Sequence, residues 1–512
     1  MLTEKLAQFV IQTRDSDVPA EVINGACNAL VDTLGCALAG SLDEGSEIAQ
    51  KWVLETGARA QSTVVGTPLS TSPAEAAFAN GLAAHALDFD DAMTTLRGHP
   101  TAPMLGAGLA VGEAVGASGE AVLAAISIGL EIGGKIGPAF GAGHYIKGWH
   151  STATVGIFGT TAVAARLWGL SVAQLQTAWG IAASQMSGLI RNFGSMTKPF
   201  HPGQVARNGI IAAKLAAKGF TADPDIIEGR QGYADNFGGA KCNIPMVTKF
   251  LGKVYYLEEE GTRIKPWPCC GGNHQTLTGL LALIKEKKIK AEDVETVDHI
   301  GPNIPCTGAL LRSTVTQGLE GKFTLAYNIS AALIDGKVDY NTFTDKRAAK
   351  GDLQAYMKRV TISRNNDVVL RRPHIADGNH EARLVIKMKS GVVHDVVLGV
   401  AYHLTGDEVV DKFRLNADAT LGHQAQDVVL DTEVVAHHVQ VARGFGATRA
   451  QSPVAHATRP RIGLSTGHIR HEVEPFHGRG GFGNCDQFGM VELARRNDAA
   501  HGTCRADMPH QR

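Results

Sequence analysis

Apolar residues recur every three or four positions through the first two fifths of the chain, from Pro19 to about Phe220. Alanine and glycine fill many of the intervening positions, and Ser, Thr or Asp with Pro stand where helices would begin. This spacing places the apolar residues on one face of an α-helix, and the polar residues are those that cap helix N-termini. The pattern predicts a large all-helical domain, to which we assign residues 1–264.

The pattern changes near residue 265. β-branched residues alternate with polar ones in VETVDHIGPNI, KRVTISR and ARLVIKMKSGVVHDVVLGV, and the last of these has the form of a hairpin. Helical spacing returns between them at residues 274–288 and 323–335. We therefore predict a smaller α+β domain over residues 265–403 and a helix over 404–421 that returns to the first domain.

Residues 422–512 match nothing that precedes them. Lys412 is the last lysine of the chain, and nine of the 20 histidines lie from His423 onward among Arg, Gly and Pro. We expect an atypical tail, rich in His and Arg and poorly ordered. Two alternatives are a histidine-rich metal site and a reading frame that departs from that of related genes after about residue 420.

Charge and cysteine content narrow the class of protein. The 512 residues include 49 Lys plus Arg against 50 Asp plus Glu, a formal net charge of −1. Such a balance spreads no strong field over the surface, which argues against nucleic acid or an anionic membrane as the main partner. The eight cysteines are scattered and form no CxxC pair, so we predict a reducing compartment and no structural zinc or iron–sulfur site.

The N-terminus and the apolar stretches bear on localisation. The first residues carry charges every few positions and lack the apolar core of a signal peptide. The most apolar stretches, 121–130 and 151–166, are shorter than the roughly 20 residues that cross a bilayer. These features predict a cytoplasmic protein without a membrane partner.

The segment HALDFDDAMTTLRGHP is the first candidate for chemistry. It joins carboxylates, imidazoles and a guanidinium at the end of an Ala-rich helix, an arrangement that commonly presents general acids and bases. The alternative is a set of solvated acids that only cap the helix. The ionisable residues of this segment are His85, Asp88, Asp90, Asp91, Arg97 and His99.

A second segment, GHYIKGWHSTATVG, contains His144, Lys147 and His150. His150 directly precedes a long apolar helix, whose free N–H groups could help to hold an anion. A simple helix cap is the alternative for His150.

A third segment, RNFGSMTKPFHPGQVARNG, places Arg191, Lys198, His201 and Arg207 among glycines and prolines. It could form a loop shaped to admit a carboxylate or phosphate, or it could be a solvated basic loop. The sequence has neither a GxxxxGK[ST] nor a GxGxxG motif, which argues against a nucleotide.

A fourth segment, IKPWPCCGGNH, contains Lys265, Cys269, Cys270 and His274. Cysteine and histidine four residues apart could act as nucleophile and base, but nothing in the sequence identifies an oxyanion hole. We favour a shaped loop at the domain junction over a cysteine nucleophile.

Taken in order, these segments resemble the MmgE/PrpD family, which includes 2-methylcitrate dehydratase, cis-aconitate decarboxylase and iminodisuccinate epimerase. The resemblance covers about residues 2–421 and implies a helical domain with a smaller α+β lid domain, a homodimer, and an active site between the domains with no metal or organic cofactor. The matching stretches are HALDFDD with GHP, GWHSTATVG, AWGIAASQMSGL, MTKPFHPGQVARNG, KPWPCCGGNH and FTLAYNISAALIDGKV.

Carried over one residue at a time, the active-site positions of the family fall on Asp88, His99, His150, Lys198, Lys265 and Tyr327. Three features bear on the subgroup within the family. Ala92 stands where the decarboxylase pattern has a threonine. Arg97-Gly98-His99 is more like the epimerases, and Tyr327 is more like the dehydratases and decarboxylases. We assign catalysis to Asp88, His99, His150, Lys198 and Tyr327, and substrate binding to Arg97, Lys265, His201 and His274.

The resemblance implies a small di- or tricarboxylate substrate and a carbanion formed next to a carboxylate. Lys198 and Lys265 could stabilise the resulting enediolate, and His99 or His150 could move a proton near neutral pH. We predict a cofactor-independent lyase, either a dehydratase or a decarboxylase. An epimerase of an iminodisuccinate-like dicarboxylate and a non-catalytic carboxylate-binding homologue are the alternatives.

Overall fold

The computed structural model describes residues 1–238, 242–259, 261–302, 312–365 and 382–421. Over these residues it confirms the predicted fold class, a large helical part followed by a smaller α+β part. The predicted His- and Arg-rich tail over 422–512 lies outside the described residues.

Local signals in the sequence start the helices of the first part. The Ser72 side chain accepts a hydrogen bond from the Glu75 backbone N–H at the start of a helix whose first residue is Pro73, and Ser171 with Gln174 forms a capping box. The helices are α1 (Leu2–Gln12), α2 (Ala20–Gly40), α3 (Glu44–Glu55), α4 (Pro73–Ala86), α5 (Thr101–Val115), α6 (Gly119–Ile146), α7 (Ser151–Thr154), α8 (Gly156–Leu167), α9 (Val172–Ala183), α10 (Thr197–Ala217), α11 (Ile244–Thr248) and α12 (Tyr256–Glu259), with a short ribbon of β1 (Ser62–Thr63) and β2 (Ser70–Thr71) before α4.

Helices α4 and α10 form the centre of the helical part. From Glu75 to Ala86 every residue of α4 is buried, which fits a helix in which most residues are apolar or small. A Cβ on Gly81 would lie 3.0 Å from the Cα of Gly203, so the two helices pack backbone against backbone. This close approach brings the end of α4 to the beginning of α10.

The second part contains the predicted strands and helices. Its sheet has the order β4-β3-β5-β6, with β3 parallel to β4 and antiparallel to β5, and β5 with β6 is the hairpin expected from the sequence. The elements are α13 (His274–Lys287), β3 (Val294–Pro302), α14 (Gly318–Gly321), α15 (Leu325–Asp335), α16 (Asp345–Ala348), α17 (Gly351–Met357), β4 (Val360–Asn365), β5 (Arg383–Met388), β6 (Val393–Val397) and α18 (Asp407–Leu421).

The last described helix packs against the first part. Phe413 and Ala417 of α18 pack in one apolar cluster with Leu38 of α2. The chain also pairs with itself just before this helix, where Ile264 and Leu404 form an isolated β-bridge. The segment from Leu404 to the end of α18 therefore contacts the first part at two places.

Two helices reach the length and hydropathy of a membrane span, Ala20–Gly40 and Gly119–Phe140. The second contains the 121–130 stretch that we expected to be too short, because the helix continues past it. Of the apolar windows in the two helices, 67% and 83% are buried inside the protein. Core helices of soluble proteins meet the same criteria, so these two helices are weak evidence for a membrane span.

Candidate active site

The turn after α4 presents the carboxylates of the first predicted segment. Asp88 has a φ of 51°, in the left-handed region that non-glycine residues seldom adopt. Ala92 exchanges backbone hydrogen bonds of 3.0 and 2.8 Å with Arg263, which fixes the loop that follows the turn and brings Lys265 beside it. Asp88, Asp90 and Asp91 are all buried. Burial of three acidic side chains on one strained turn indicates a functional arrangement rather than a solvated cap.

Two lysines meet on one oxygen of Asp88. Lys198 Nζ donates to Asp88 Oδ1 at 2.9 Å, and Lys265 Nζ donates to the same oxygen at 2.8 Å. The Lys198 ammonium also lies near the rings of Phe193 and Phe323, 5.0 and 5.1 Å from their centroids. Asp88 Oδ2 is buried and accepts no hydrogen bond from any described residue. The site thus holds two cations and one free carboxylate oxygen.

These contacts set the ionisation of the three groups. Burial would raise the pKa of Asp88, but Lys198 and Lys265 hold it well below its usual range. Burial lowers the pKa of Lys198, with Asp88 opposing the shift, whereas for Lys265 the charges of Asp88 and Asp90 outweigh burial and raise the pKa. Asp88 and Lys265 are therefore ionised at neutral pH.

His85 and His99 lie side by side next to the Asp88 turn, with ring centroids 4.3 Å apart. His85 Nε2 lies 2.6 Å from Lys198 Nζ, a donor, and His85 Nδ1 lies 2.7 Å from Asp90 Oδ1, an acceptor. A neutral His85 ring therefore carries its proton on Nδ1. Burial and the charge of Lys198 lower the pKa of His85 well below its ordinary value, which is consistent with the neutral form.

His99 has a lone pair directed into the site. Its Nδ1 lies 2.8 Å from the carbonyl oxygen of Asp91, which can only accept, so Nδ1 carries the proton. Nε2 is then unprotonated, and it lies 3.6 Å from Asp88 Oδ1. Burial, Lys265 and Lys198 lower the pKa of His99 well below its ordinary value. His99 therefore offers a neutral nitrogen base, and its side chain, 12% exposed, is more accessible than that of Asp88.

His150 and His201 form a second pair of imidazoles. Their Nδ1 atoms lie 3.0 Å apart, so one ring donates and the other accepts. His150 Nε2 lies 2.7 Å from Thr152 Oγ1, which accepts a 2.9 Å hydrogen bond from the His99 backbone N–H. Burial and the neighbouring His201 lower the pKa of His150 well below its ordinary value, and burial lowers that of His201 to about 4. Both rings are neutral at pH 7.

The structure brings together Asp88, His99, His150, Lys198, Lys265 and His201 from the predicted set, while the Tyr327 hydroxyl and the His274 ring hydrogen-bond to backbone carbonyls. The Tyr327 hydroxyl donates to the Thr342 carbonyl at 2.5 Å within the core of the second part. His274 Nε2 donates to the Cys269 carbonyl at 3.1 Å, and burial lowers the pKa of His274 to about 3, with Lys265 adding to the shift and Asp88 opposing it. Arg97 has a φ of 55°; burial, the largest cause, lowers the pKa of His144 to about 4, and the charges of Lys147 and Arg97 add to that shift. No described contact joins Tyr327 or His274 to the Asp88 carboxylate, and their functional roles stay predictions.

Three residues near the turn had no assigned role in the sequence. His85 and Asp90 lie in the first segment, and their pairing could have been suspected because the i, i+5 spacing spans the end of a helix. Lys322 directly precedes the FTLAYN stretch, and its Nζ donates to Leu87 O at 2.7 Å and Pro268 O at 3.0 Å. The sequence signal that points to Lys322 is its position directly before a motif shared with the family.

The donor atoms could in principle surround a cation. One ring nitrogen from each of His85, His99 and His150 lies within 4.8 Å of the others, as do donor atoms of His85, Asp88, Asp90 and His99. The ammonium groups of Lys198 and Lys265, however, already contact His85 and Asp88 and would repel a metal ion. The donor set therefore fits an anion beside the lysines better than a metal ion.

Comparison with known proteins agrees with the motif order. Residues 4–243 match the MmgE/PrpD N-terminal domain, and residues 267–437 match the MmgE/PrpD C-terminal domain, which extends the similarity beyond our limit at 421. A cis-aconitate decarboxylase-like protein of Aspergillus oryzae is 26% identical, covering 82% of this chain and 91% of that protein. The cis-aconitate decarboxylases of Homo sapiens and Mus musculus are each 25% identical, covering 70% and 82% of this chain and 76% and 87% of their own lengths. Because the two family domains together span most of the sequence, the chain belongs to the MmgE/PrpD family.

Proposed function

We propose that the protein is a cofactor-independent lyase that acts on a small di- or tricarboxylate, with cis-aconitate as the first substrate to test. The observation that carries the proposal is the pairing of Lys198 and Lys265 with a single oxygen of Asp88. Two ammonium groups with one direct carboxylate partner among the described residues leave positive charge for an anionic substrate. The names of the similar decarboxylases support the same substrate class.

The geometry supports stabilisation of a carbanion. In a decarboxylation, the bond from carbon to a carboxylate group breaks, its electron pair stays on the substrate as an enediolate-like anion, and CO₂ leaves. Lys198 and Lys265 would face that developing charge in a buried site, where a positioned cation typically lowers the barrier by about 3 kcal/mol. A protonated imidazole then delivers the proton that quenches the anion.

The imidazoles can serve either lyase reaction. The free Nε2 of His99 suits removal of a proton next to a carboxylate, after which a β-hydroxyl would leave as water with a proton from a second group. Decarboxylation instead needs an imidazolium, which the negative charge of a bound polycarboxylate would favour by raising the histidine pKa. The same cluster therefore supports a dehydratase and a decarboxylase, and the substrate decides between them.

Proton NMR in D₂O tests the proposal directly. Purified, chelator-treated protein would be incubated with citrate, 2-methylcitrate, cis-aconitate and iminodisuccinate in turn. We expect substrate loss with a new olefinic product from at least one tricarboxylate. Deuterium entering the α position without a new skeleton would instead identify an epimerase, and binding without any turnover would identify a non-catalytic homologue. Activity that disappears with chelator and returns with a divalent metal would contradict the cofactor-independent mechanism.

Two variants connect the activity with the site. Lys198→Met keeps the length of the side chain and removes its charge, and His150→Gln keeps one hydrogen-bonding group. Each is expected to lower turnover at least about a hundredfold, as removal of a positioned charge or proton-transfer group commonly does. Near-normal rates in either variant would contradict the assignment of that residue.

A further inference from the structure

Three consecutive backbone carbonyls at the end of α4 each accept a hydrogen bond from a buried lysine. Lys322 Nζ donates to the Leu87 oxygen at 2.7 Å, Lys265 Nζ to the Asp88 oxygen at 2.8 Å, and Lys412 Nζ to the Phe89 oxygen at 2.6 Å. These lysines come from three separate segments of the later part of the chain. We call Lys265, Lys322 and Lys412 the carbonyl clamp.

The position of the clamp has a physical reason. Leu87 is the C-cap of α4, and Asp88 and Phe89 follow it, so their carbonyls have no helical donor. Cations are favoured beside the C-terminal end of a helix, which carries partial negative charge. The same turn contains Asp88 at a φ of 51°, a conformation that costs about 1–2 kcal/mol for a residue with a side chain. Hydrogen bonds from ammonium groups in a buried setting are strong enough to offset that strain. The turn is therefore stabilised by contacts that the helical part alone does not supply.

We propose that Lys322 and Lys412 are positioning residues that hold the Leu87–Phe89 turn so that the Asp88 carboxylate meets Lys198 and Lys265. This inference rests on the proposed function, in which Asp88 and its two lysines form the reacting site. Neither Lys322 Nζ nor Lys412 Nζ contacts the Asp88 carboxylate or a histidine of the site among the described residues. They act on the site through the backbone of the turn.

Each positioning lysine fastens the turn to a different element. Lys322 Nζ also donates to Pro268 O at 3.0 Å, and its own carbonyl accepts from the Cys270 N–H at 3.0 Å and from Asn273 Nδ2 at 2.9 Å. Lys322 thus connects the turn with the loop that carries Lys265. The active geometry consequently depends on the docking of the second part of the protein onto the first.

Lys412 fastens the turn from the opposite side. Its ammonium pairs with Asp32 Oδ1 of α2 at 2.6 Å and lies 3.8 Å from the centroid of the Phe89 ring. Because Lys412 belongs to α18, the final described helix also contributes to the position of Asp88. Displacement of α18 would release one carbonyl of the turn.

Hydrogen–deuterium exchange with mass spectrometry tests the clamp without requiring turnover. Lys322→Met and Lys412→Met remove the charged donor and keep most of the side-chain length. We expect faster exchange at least about tenfold in peptides covering residues 86–96 in either variant, because loss of the donors would favour local opening of the turn. The matched control is Lys135→Met, which removes a partly buried lysine that donates to Val254 O at 2.6 Å, away from the turn. Unchanged exchange over 86–96 in both clamp variants would overturn the proposal.

Kinetics separate positioning from a purely structural role. With whichever carboxylate the wild-type protein converts, the clamp variants are expected to lose about 10- to 100-fold in kcat while KM changes less than about threefold, since misplacement by about 1 Å has effects of this size. Lys322→Arg, which keeps a charged donor, should recover part of the lost kcat, and Lys135→Met should keep the wild-type value. Faster exchange with unchanged kcat would also overturn the proposal. If the wild-type protein converts no carboxylate, the proposed function fails, and exchange still decides whether the clamp holds the turn.

Discussion

Asp88 and Asp32 are two buried carboxylates on opposite sides of the same turn, and both pair with lysine. Asp88 meets two ammonium groups at 2.9 and 2.8 Å, whereas Asp32 meets only Lys412, at 2.6 Å. The two cations hold the pKa of Asp88 well below its usual range. For Asp32, burial outweighs the attraction of Lys412 and the smaller one of Lys265 and raises the pKa to about 6.

The difference indicates that the number of lysines paired directly with a buried carboxylate has a large effect on its pKa. Burial penalises the charged form in both places, and one ion pair only partly offsets that penalty. At Asp88 two lysines together outweigh the effect of burial, so the pKa falls instead of rising. Two ammonium groups on one carboxylate leave positive charge at Asp88 that can act on an anion, whereas Asp32 and Lys412 balance each other and mainly support the turn.

Removing the charge of Asp88 should have the largest effect. Asp88→Asn keeps the size of the side chain but leaves Lys198 and Lys265 without their shared anion. We expect turnover to fall at least about a hundredfold and the free energy of unfolding to fall by about 3 kcal/mol, because two buried charges lose their partner. Steady-state rates and chemical denaturation measure the two effects. Wild-type turnover in this variant would show that Asp88 and its ion pairs with Lys198 and Lys265 are not part of the reacting site.

Asp32→Asn tests the other half of the comparison through pH. The folded pKa of Asp32, about 6, lies above the unfolded value near 3.8, so the folded state binds more protons between these values. The stabilisation from this group is complete below pH 4 and is lost as the pH rises through 6. The shift corresponds to about 2–3 kcal/mol between pH 4 and pH 7.

The Asp32→Asn variant lacks this pH-dependent contribution to the free energy of unfolding. Its free energy of unfolding should therefore gain about 2–3 kcal/mol relative to wild type between pH 4 and pH 7, as measured by urea denaturation at several pH values. Its turnover at pH 7 should fall less than that of Asp88→Asn. Parallel stability curves for the two proteins would contradict the raised pKa of Asp32.

Much of this arrangement could be predicted from the sequence, and the limits have physical reasons. The helices and the hairpin follow from periodicity, whereas Asp88, His99, His150, Lys198 and Lys265 are named from the resemblance of the ordered motifs to the MmgE/PrpD family. The contacts of Lys322 and Lys412 with the turn could not be predicted, because a lysine that binds a backbone carbonyl leaves no mark at the accepting residue. Lys322 and Lys412 are also more than two hundred positions from the turn that they contact.

The pH dependence of catalysis should reflect the neutral imidazoles on the ion-paired side of the turn. Burial and neighbouring cations hold the pKa values of His99 and His150 well below 6.5, so both rings stay neutral as the pH falls through that value. We expect the acid limb of kcat/KM, which reports the free enzyme, to begin well below pH 6.5. A limb centred at pH 6.5 or higher would indicate a solvated histidine as the essential base.

Substitution of Tyr327, which lies outside the charged turn, should have the smallest effect. Its ring is fully buried in the core of the second part, and its hydroxyl donates to the Thr342 carbonyl. Tyr327→Phe removes one neutral hydrogen bond and leaves the ring in place, which should lower the free energy of unfolding by about 1 kcal/mol. Because no reacting group is lost, the barrier should change by only a few tenths of a kcal/mol, and turnover should therefore change less than about threefold. Thermal denaturation and steady-state kinetics on the same preparation measure both values. A hundredfold loss of turnover would instead mean that the hydroxyl leaves Thr342 and reaches the substrate, as the resemblance to the dehydratases and decarboxylases implies.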